Sequence, residues 1–266
     1  MSTLFDLSGR VGVVSGAARG LGRAMALALA EHGMDLMLID RSAEGLANTA
    51  EEIKQLGRRA LTETVDVSNL EQIAELFTRV DREYGRIDFL GNVAGEGMLA
   101  PPEDLTIEQL RRTFENLVIG RFSMCQHAGR RMIAAGRGSI VNIGSLASLT
   151  SLGRGHIAYS MAMGAVAQMT RELSTEWSSL GVRVNAILPA QVTNPGLIER
   201  MAKEPHMKQL WLSGIPTGRM GQPDDIRGLA VLLASDASSW ITGALIPMDG
   251  GNLALNSGGS VRPPRE

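Results

Sequence analysis

The segment VGVVSGAARGLGRAMALALAEHG, residues 11–33, contains a strand, a glycine-rich turn and a helix in direct succession. The apolar run Val11–Ser15 predicts a buried β-strand, because it is short and is bounded by a glycine. Residues 20–33 place leucine, methionine and alanine on one stripe, which predicts an amphipathic helix. The turn between strand and helix contains Gly16, Gly20 and Gly22. This succession predicts the first βα unit of an open α/β sheet.

The rest of the chain repeats the alternation of short apolar runs and longer amphipathic segments. Further strands are predicted at 35–39, 60–67, 87–93, 138–144, 182–188 and 244–248. Further helices are predicted at 43–57, 69–84, 106–135 with an interruption near Gly120, 158–180, 194–213 and 223–234. Strands that alternate with helices predict right-handed crossovers and a parallel sheet covered on both faces. We therefore expect an α/β fold, a Rossmann-type doubly wound parallel sheet of about seven strands.

The chain has 266 residues, of which 44% are hydrophobic, and this is enough for the core of one large α/β domain. We expect a single domain over residues 1–255, with a helical excursion on the substrate side at about 194–215. Residues 256–266 are rich in serine, glycine, proline and arginine, which predicts a flexible C-terminal tail.

Charge and composition exclude several classes of function. The net charge of -2 provides no basic surplus for nucleic acid or an anionic membrane. No apolar stretch is long enough to span a bilayer, and residues 1–10 lack the pattern of a signal peptide. Cys125 is the one cysteine of the sequence, so no intrachain disulfide forms. This is consistent with a protein of a reducing compartment. We expect a cytoplasmic protein that acts on a small molecule and has no metal site.

The glycine turn has the properties that a pyrophosphate group requires. The turn is tight, its glycines let the backbone approach a ligand, and free N–H groups at the helix N-terminus point at an anion. Turns of this kind also occur without a ligand, but here an acidic residue, Asp40, ends the next predicted strand. A carboxylate at that position accepts hydrogen bonds from the adenosine ribose hydroxyls and repels a 2′-phosphate. The sequence therefore favours NAD as the cofactor.

Two arginines near this turn favour NADP instead. Arg19 lies within the turn and Arg41 follows Asp40. A guanidinium group at either position could hold a 2′-phosphate, whereas the alternative is that both side chains are ordinary solvated surface residues. We expect NAD, with NADP as the alternative.

The motifs that follow the turn resemble those of the short-chain dehydrogenase/reductase family, over roughly residues 5–252. They occur in the family's order: Gly16-xxx-Gly20-x-Gly22, Asp66-Val67, Asn92-Val-Ala-Gly95, the mid-helix Asn116, Ser145, Tyr159, Pro189-Ala190, Val192-Thr193 and Asp249-Gly-Gly251. The resemblance implies an NAD(P)-dependent oxidoreductase that transfers a hydride between the nicotinamide and the carbon of an alcohol or ketone.

The resemblance also implies roles for individual residues. Tyr159 corresponds to the general acid or base, Ser145 to the residue that polarises the substrate oxygen, and Asn116 to the catalytic asparagine. The residues implied at the cofactor are Gly16, Arg19, Gly20, Leu21, Gly22, Asp40, Arg41, Asp66, Val67, Asn92, Ala94, Gly95, Tyr159, Pro189, Val192 and Thr193. Family members commonly pair two long helices between subunits, which here implies a homotetramer or homodimer through residues 106–135 and 158–180.

One position departs from the family's Tyr-x-x-x-Lys signature, because this chain reads Tyr159-Ser-Met-Ala-Met163. The family's lysine lies one helical turn from the tyrosine, and its charge favours the tyrosinate. A free tyrosine has a pKa near ~10, and a neighbouring cation typically changes such a pKa by about 1–3 units. Methionine carries no charge, so we expect chemistry slowed by roughly 10- to 1000-fold and a less firmly placed nicotinamide.

Three accounts of Met163 stay open. In the first, Met163 is natural and the protein is a weak enzyme or a non-catalytic binding protein. In the second, Met163 is an engineered replacement of lysine. In the third, another group compensates for the missing lysine charge. Lys203 and Lys208 fall in the helical excursion, whereas Arg154 and His156 lie closer to Tyr159 in sequence. The competing function is a dinucleotide-binding protein with little or no turnover that acts as a sensor or an oligomer partner.

Segments 96–101, 146–156, 190–196 and 197–215 are expected to line the substrate side. The candidate substrate residues are Glu96, Leu152, His156, Gln191 and Trp211. Methionines and leucines in these segments favour an apolar or amphipathic substrate. The alternative is that the helical excursion buries them on its own sheet or on a neighbouring subunit.

Overall fold

Seven parallel strands form one sheet in the computed structural model, which describes residues 3–255. The strands are β1 Val11–Ser15, β2 Asp35–Asp40, β3 Ala60–Thr64, β4 Phe89–Asn92, β5 Gly138–Ile143, β6 Val182–Pro189 and β7 Leu245–Met248. Their order across the sheet is β3-β2-β1-β4-β5-β6-β7, so the winding reverses at β1, which pairs with both β2 and β4. This doubly wound Rossmann-type sheet confirms the predicted fold class.

Helices cover both faces of the sheet. They are α1 Gly20–Glu31, α2 Ala43–Gln55, α3 Leu70–Tyr84, α4 Ile107–Phe114, α5 Gly120–Ala134, α6 Ile157–Trp177, α7 Pro195–Lys203, α8 Pro205–Ser213 and α9 Arg227–Ala234. Residues of α1, α2 and α9 pack on one face, around Met25, Ile53 and Leu233. Residues of α3, α5 and α6 pack on the other, around Phe77 and Met124. Burial of apolar area on both faces holds the strand ends in fixed positions.

The long helix predicted at 106–135 is interrupted near Gly120, as the sequence predicts. A π-helical segment, Glu115–Ile119, separates α4 from α5 and ends directly before Gly120. A side chain at Gly120 would collide with the backbone carbonyl of Val67, which explains the glycine. A π turn holds one more residue than an α turn, and such turns are frequent at functional sites.

Three boundaries differ from the sequence predictions. The excursion predicted as one helix at 194–213 forms α7 and α8, because Pro205 lacks the N–H that would continue the first helix. The predicted strand at 60–67 ends at Thr64. The helix predicted at 223–234 begins with a 3₁₀ turn, Pro223–Ile226.

Within residues 3–255, no helix is both long and apolar enough to cross a bilayer. The tail predicted at 256–266 lies outside the described residues. The single-domain assignment of residues 1–255 stays a prediction.

Candidate active site

Two adjoining cavities open at the carboxyl ends of the central strands. The glycine-turn cleft, of about 570 Å³, is lined by the turn after β1 and by the ends of β2 and β4. The tyrosine cavity, of about 650 Å³, is lined by the end of β5, the start of α6 and the segments after β6. Val192, Asn194 and Gly196 line both cavities, so the two spaces adjoin. In a parallel sheet this edge, at the reversal of winding, is where ligands bind.

The glycine turn requires its glycines. Gly16 and Gly20 have φ values of +68° and +57°, a conformation that other residues rarely adopt. A Cβ on Gly16 would lie 3.1 Å from the backbone nitrogen of Ala94, and a Cβ on Gly22 would collide with the carbonyl of Gly16. Arg19, the N-cap of α1, gives no side-chain cap, so the first N–H groups of the helix stay open to an anion.

A serine that the sequence analysis did not single out connects the turn to β4. The Ser15 hydroxyl oxygen accepts hydrogen bonds from the N–H groups of Val93 (2.9 Å) and Ala94 (3.0 Å). The same hydroxyl donates to the carbonyl of Gly91 at 3.3 Å. The wall that Ala94 contributes to the cleft is thereby fixed against the end of β1.

Charged side chains line the far end of the glycine-turn cleft. Asp40 accepts hydrogen bonds from the backbone N–H groups of Ala18 (3.3 Å) and Ser42 (3.0 Å). Arg41 forms an ion pair with Glu96 at 2.7 Å, and this hydrogen bond raises the pKa of Arg41. Glu96 was expected on the substrate side, but the structure places it in this cleft, because Gly95 turns the chain there with a φ of +127°.

Most of the residues predicted at the cofactor meet in this cleft: Gly16, Arg19, Gly20, Leu21, Gly22, Asp40, Arg41, Asp66, Val67, Ala94, Gly95, Val192 and Thr193. The hydrogen bonds that Asp66 accepts from Ser68 lower the pKa of its carboxyl. Pro189 lines the tyrosine cavity instead. Asn92 lines neither cavity: it is fully buried and donates hydrogen bonds to the carbonyl of Arg121 (2.9 Å) and to Asn142 (3.2 Å). Asn92 therefore supports the cleft from behind.

Ser145 and Tyr159 line the same cavity, as the sequence predicts. Ser145 caps a 3₁₀ turn at the end of β5, and its hydroxyl oxygen accepts the N–H of Ala147 at 3.2 Å. Tyr159 lies in the first turn of α6, with Gly97 against its ring: a Cβ on Gly97 would lie 2.5 Å from Cδ2. The hydroxyl of Ser148 donates to the carbonyl of Met163 at 2.9 Å, and this hydrogen bond joins the 3₁₀ turn after β5 to α6.

The predicted substrate residues Leu152, His156, Gln191 and Trp211 line the tyrosine cavity as well. The Oε1 atom of Gln191 and the Nε1 atom of Trp211 are buried without a hydrogen-bond partner among the described residues. The Arg154 guanidinium lies over the Trp211 ring, with its carbon 5.7 Å from the ring centroid. The walls of the cavity thus contain two buried polar atoms without a partner among the described residues, and the cation of Arg154.

Asn116 and His156 make contacts that define their orientation. Asn116 lies in the π segment, and its Oδ1 accepts the N–H of Glu96 at 3.0 Å on the floor of the glycine-turn cleft. The His156 ring meets that of Tyr159 edge to face at 6.2 Å. Its Nδ1 lies 2.7 Å from the carbonyl of Gly153, so the bond requires the hydrogen on that nitrogen.

Met163 is buried in an apolar cluster. Its neighbours in the cluster are Leu117, Ala147, Ala162 and Val166. Lys203 forms an ion pair with Glu199 at 2.7 Å on the surface of α7. Neither cavity is lined by a lysine in the part of the chain that the structure describes.

Arg121 on α5 is a second residue near the site that the sequence did not indicate. Its guanidinium is completely buried and donates to the carbonyls of Ala94 (3.1 Å), Val93 (3.3 Å) and Ile143. The signal available in the sequence was its spacing: Arg121 follows the apolar Leu117 by four residues, which places both on one face of a helix. The π segment changes the phase of the helix, and this change turns the Arg121 side chain inward.

A family model described as enoyl-(acyl carrier protein) reductase matches residues 16–252. An NAD-dependent glycerol dehydrogenase from Listeria innocua is 37% identical over 249 residues, 93% of this chain and 95% of the relative. A D-threitol dehydrogenase from Mycolicibacterium smegmatis is 38% identical over 253 residues, 93% of this chain and 94% of the relative.

The solved structures agree with this relationship. A short-chain alcohol dehydrogenase from Sinorhizobium meliloti 1021, described as putative, superposes with a TM-score of 0.89 at 37% identity, over 94% of this chain and 99% of that one. The chain belongs to the short-chain dehydrogenase/reductase family. A protein from Beutenbergia cavernae, described as a putative NAD(P)-dependent gluconate 5-dehydrogenase, has bound NADP at low occupancy. It has a TM-score of 0.88 at 34% identity, over 94% of this chain and 99% of that one. The family relationship supports an oxidoreductase that uses a nicotinamide dinucleotide.

Proposed function

We propose that this short-chain dehydrogenase interconverts an alcohol and a ketone on a small polyhydroxylated substrate, with Tyr159 as general acid or base. The observation that carries the proposal is that Ser145 and Tyr159 line one cavity, which adjoins the glycine-turn cleft. The glycines of that cleft leave a cradle that a Cβ would fill, and this space fits a pyrophosphate group.

Ser145, Tyr159 and Asn116 have separate roles in the proposed reaction. When bound, the nicotinamide of the dinucleotide accepts or supplies the hydride. In alcohol oxidation, Ser145 donates a hydrogen bond to the substrate oxygen, and the Tyr159 phenolate takes the proton from that oxygen. In ketone reduction, the Tyr159 hydroxyl returns the proton to the carbonyl oxygen. Asn116 holds the Glu96 backbone at the floor of the cleft.

The polar atoms of the tyrosine cavity favour a substrate with several hydroxyl groups. Several polar side chains that line the cavity can exchange hydrogen bonds with hydroxyl groups: Ser145, His156, Gln191, Asn194 and Asn252. The apolar substrate suggested by the methionines has less support. Met201 and Met207 pack on Trp211 in a cluster of the excursion itself. The glycerol and D-threitol dehydrogenases to which the chain is similar are named for polyols.

We propose NAD as the preferred cofactor. The Asp40 carboxylate lines the cleft after β2, where a 2′-phosphate would meet its negative charge. Arg41, which could hold that phosphate, is engaged by Glu96. The NADP in the Beutenbergia relative makes the direct comparison of both cofactors necessary.

We also propose that the protein assembles as a homotetramer or homodimer through the long helices. Ile119, Phe122 and Met161 are exposed apolar residues on or next to α5 and α6. A Cβ on Gly164 would meet nothing within 4 Å, so that face of α6 is open to close helix packing.

The experiment that tests the proposed function begins with fluorescence titration of NADH and NADPH. Turnover is then measured on three- to six-carbon polyols, the matching sugar acids and simple apolar alcohols. We expect tighter NADH binding and turnover on polyols. Tyr159→Phe should abolish turnover and keep NADH binding, because it removes the proton-transfer group alone.

The competing function, a dinucleotide-binding protein without turnover, is favoured by Met163. It predicts NADH binding with no turnover in the parent and in Met163→Lys across the whole panel. That result would overturn the enzymatic proposal and leave dinucleotide binding in place.

A further inference from the structure

Arg121 is a buried cation at the floor of the site. Its guanidinium donates to backbone carbonyls at the ends of two neighbouring strands, those of Val93 and Ala94 after β4 and of Ile143 in β5. Ile143 lies two residues before Ser145. A Cβ on Gly95 would lie 3.4 Å from Nη2 of Arg121, so the guanidinium lies directly under the backbone of the cleft.

No carboxylate forms an ion pair with this guanidinium in residues 3–255; its hydrogen-bond acceptors there are neutral carbonyls. An isolated charge of this kind is costly to bury, so a compensating anion is expected nearby. Burial lowers the pKa of Arg121 to about 10, so the group stays protonated at neutral pH. Tyr159 packs against the apolar cluster that contains Leu117. Leu117 lies four residues before Arg121, and a Cβ on Gly95 would meet both of these side chains.

Two groups near Arg121 can carry a negative charge, the thiol of Cys125 and the phenol of Tyr159. Burial raises the pKa of the Cys125 thiol to about 12, so Cys125 stays neutral. Tyr159 lines the cavity where the proton transfer of the proposed function takes place. The tyrosinate is therefore the negative charge that the buried Arg121 can stabilise.

We propose that Arg121 is a positioning residue that stabilises the Tyr159 phenolate from α5 and thereby replaces the cation that Met163 does not provide on α6. This inference rests on the proposed function. The charge reaches the site from the neighbouring helix, while Met163 fills an apolar cluster with Leu117.

The other charged and titratable groups around Tyr159 act more weakly. Arg154 is exposed and His156 lies at the rim of the tyrosine cavity, so solvent screens both. Glu96, next to the Gly97 that packs on the Tyr159 ring, pairs with Arg41. Arg121 is the buried charge, and charges in a low-dielectric interior are screened least.

The chain allows a direct test, because it contains two tyrosines, Tyr84 and Tyr159. In a Tyr84→Phe background, the near-ultraviolet absorbance of phenolate reports Tyr159 alone. We compare Arg121→Gln, which keeps a donor without the charge, with Arg121→Lys, which keeps the charge. Arg121→Gln should form phenolate at higher pH than the background protein, and Arg121→Lys should stay close to it.

Arg183→Gln is the matched control. Arg183 is a largely buried arginine that also donates to backbone carbonyls, those of Leu233 (2.9 Å) and Ser235 (3.3 Å), away from both cavities. Its loss should lower stability and leave the phenolate titration unchanged. Circular dichroism and NADH binding verify that each variant is folded.

Activity provides the second readout. At neutral pH, Arg121→Gln should lower kcat by about tenfold or more, with the pH profile of kcat displaced to higher pH. Adding Met163→Lys to Arg121→Gln should restore most of this loss, because a lysine there supplies the missing charge. Met163→Lys alone should change kcat much less than it does in the Arg121→Gln background.

The outcomes separate the inference from the proposed function. An unchanged phenolate titration in Arg121→Gln, or a loss of activity that Met163→Lys does not restore, overturns the role of Arg121. A displaced titration without turnover on any substrate supports that role and overturns the proposed function.

Discussion

The carboxylate of Asp40 accepts the backbone N–H of Ala18 at 3.3 Å, which ties the end of β2 to the glycine turn. Its other oxygen accepts the N–H of Ser42 at 3.0 Å. The negative charge is therefore held at a fixed place in the cleft, beside Arg41. We propose that the balance of this carboxylate and that guanidinium determines which dinucleotide the cleft prefers.

Replacement of Asp40 by asparagine should shift the cofactor preference towards NADPH. The charge that repels a 2′-phosphate is removed, while the shape and one acceptor remain. We expect the ratio of NADPH to NADH affinity to rise by roughly tenfold, which corresponds to about 1.4 kcal/mol. Fluorescence titration with both cofactors measures it. Glu51→Gln, which removes the same charge at an exposed position of α2, should leave the ratio unchanged. An equal change in both variants would contradict the assignment.

Gly22→Ala should weaken dinucleotide binding strongly, because the new Cβ would collide with the Gly16 carbonyl and displace the turn. NADH affinity is expected to fall by tenfold or more, ~1.4 kcal/mol at least. Gly228→Ala in α9 is the control, since a Cβ there meets nothing within 4 Å. The control should keep NADH binding and raise helix stability by about 0.5–1 kcal/mol. Normal NADH binding by Gly22→Ala would count against the pyrophosphate cradle.

Charge placed on the exposed faces of α5 and α6 should disrupt the proposed oligomer. Phe122→Glu and Met161→Glu each put a carboxylate where apolar side chains are expected to pack between subunits. Sedimentation should then detect a smaller species than in the parent. Leu56→Glu, at an exposed apolar position after α2, should leave the mass unchanged. A parent that sediments as a monomer would refute this interface.

Tyr84 should make the protein sensitive to alkali. Burial raises the pKa of Tyr84 to about 12, above the value of 10.0 for an unperturbed tyrosine, and its hydroxyl donates to the Leu36 carbonyl at 2.8 Å. As the pH rises, Tyr84 therefore loses its proton at a lower pH in the unfolded state than in the folded state. The stability that Tyr84 contributes is complete below about pH 10 and is lost as the pH rises towards 12.

Denaturant unfolding at several pH values between about 8 and 11 tests this. The parent should lose stability over the upper part of the range, and Tyr84→Phe should lose less of it. Identical slopes in the two proteins would argue that Tyr84 titrates normally in the folded state.

The glycine turn and the fold class could be predicted from the sequence because their signals are local. Spacing places Gly16, Gly20 and Gly22 between a strand and a helix, and Asp40 follows one βα unit later. The parallel sheet follows from the alternation of elements. The resemblance implied that Ser145 and Tyr159 act on the same substrate oxygen, and both residues line the tyrosine cavity.

The features that the sequence did not predict depend on how elements meet. Glu96 enters the glycine-turn cleft because Gly95 adopts a positive φ, and Ser15 acts through backbone groups of another strand. Arg121 faces inward because a π turn shifts the phase of its helix, which no apolar periodicity reveals. Each of these requires the relative position of distant segments rather than a local pattern.

The apolar surroundings of Met163 have a consequence for how this chain could change over generations. A lysine at 163 would bring a second positive charge into a region that already contains the unpaired charge of Arg121. One cation at either position is tolerable, whereas two cations together repel each other. A chain with no cation at either position leaves the phenolate without a stabilising charge. Positions 121 and 163 are therefore expected to covary among homologues, with arginine accompanying methionine and an uncharged residue accompanying lysine.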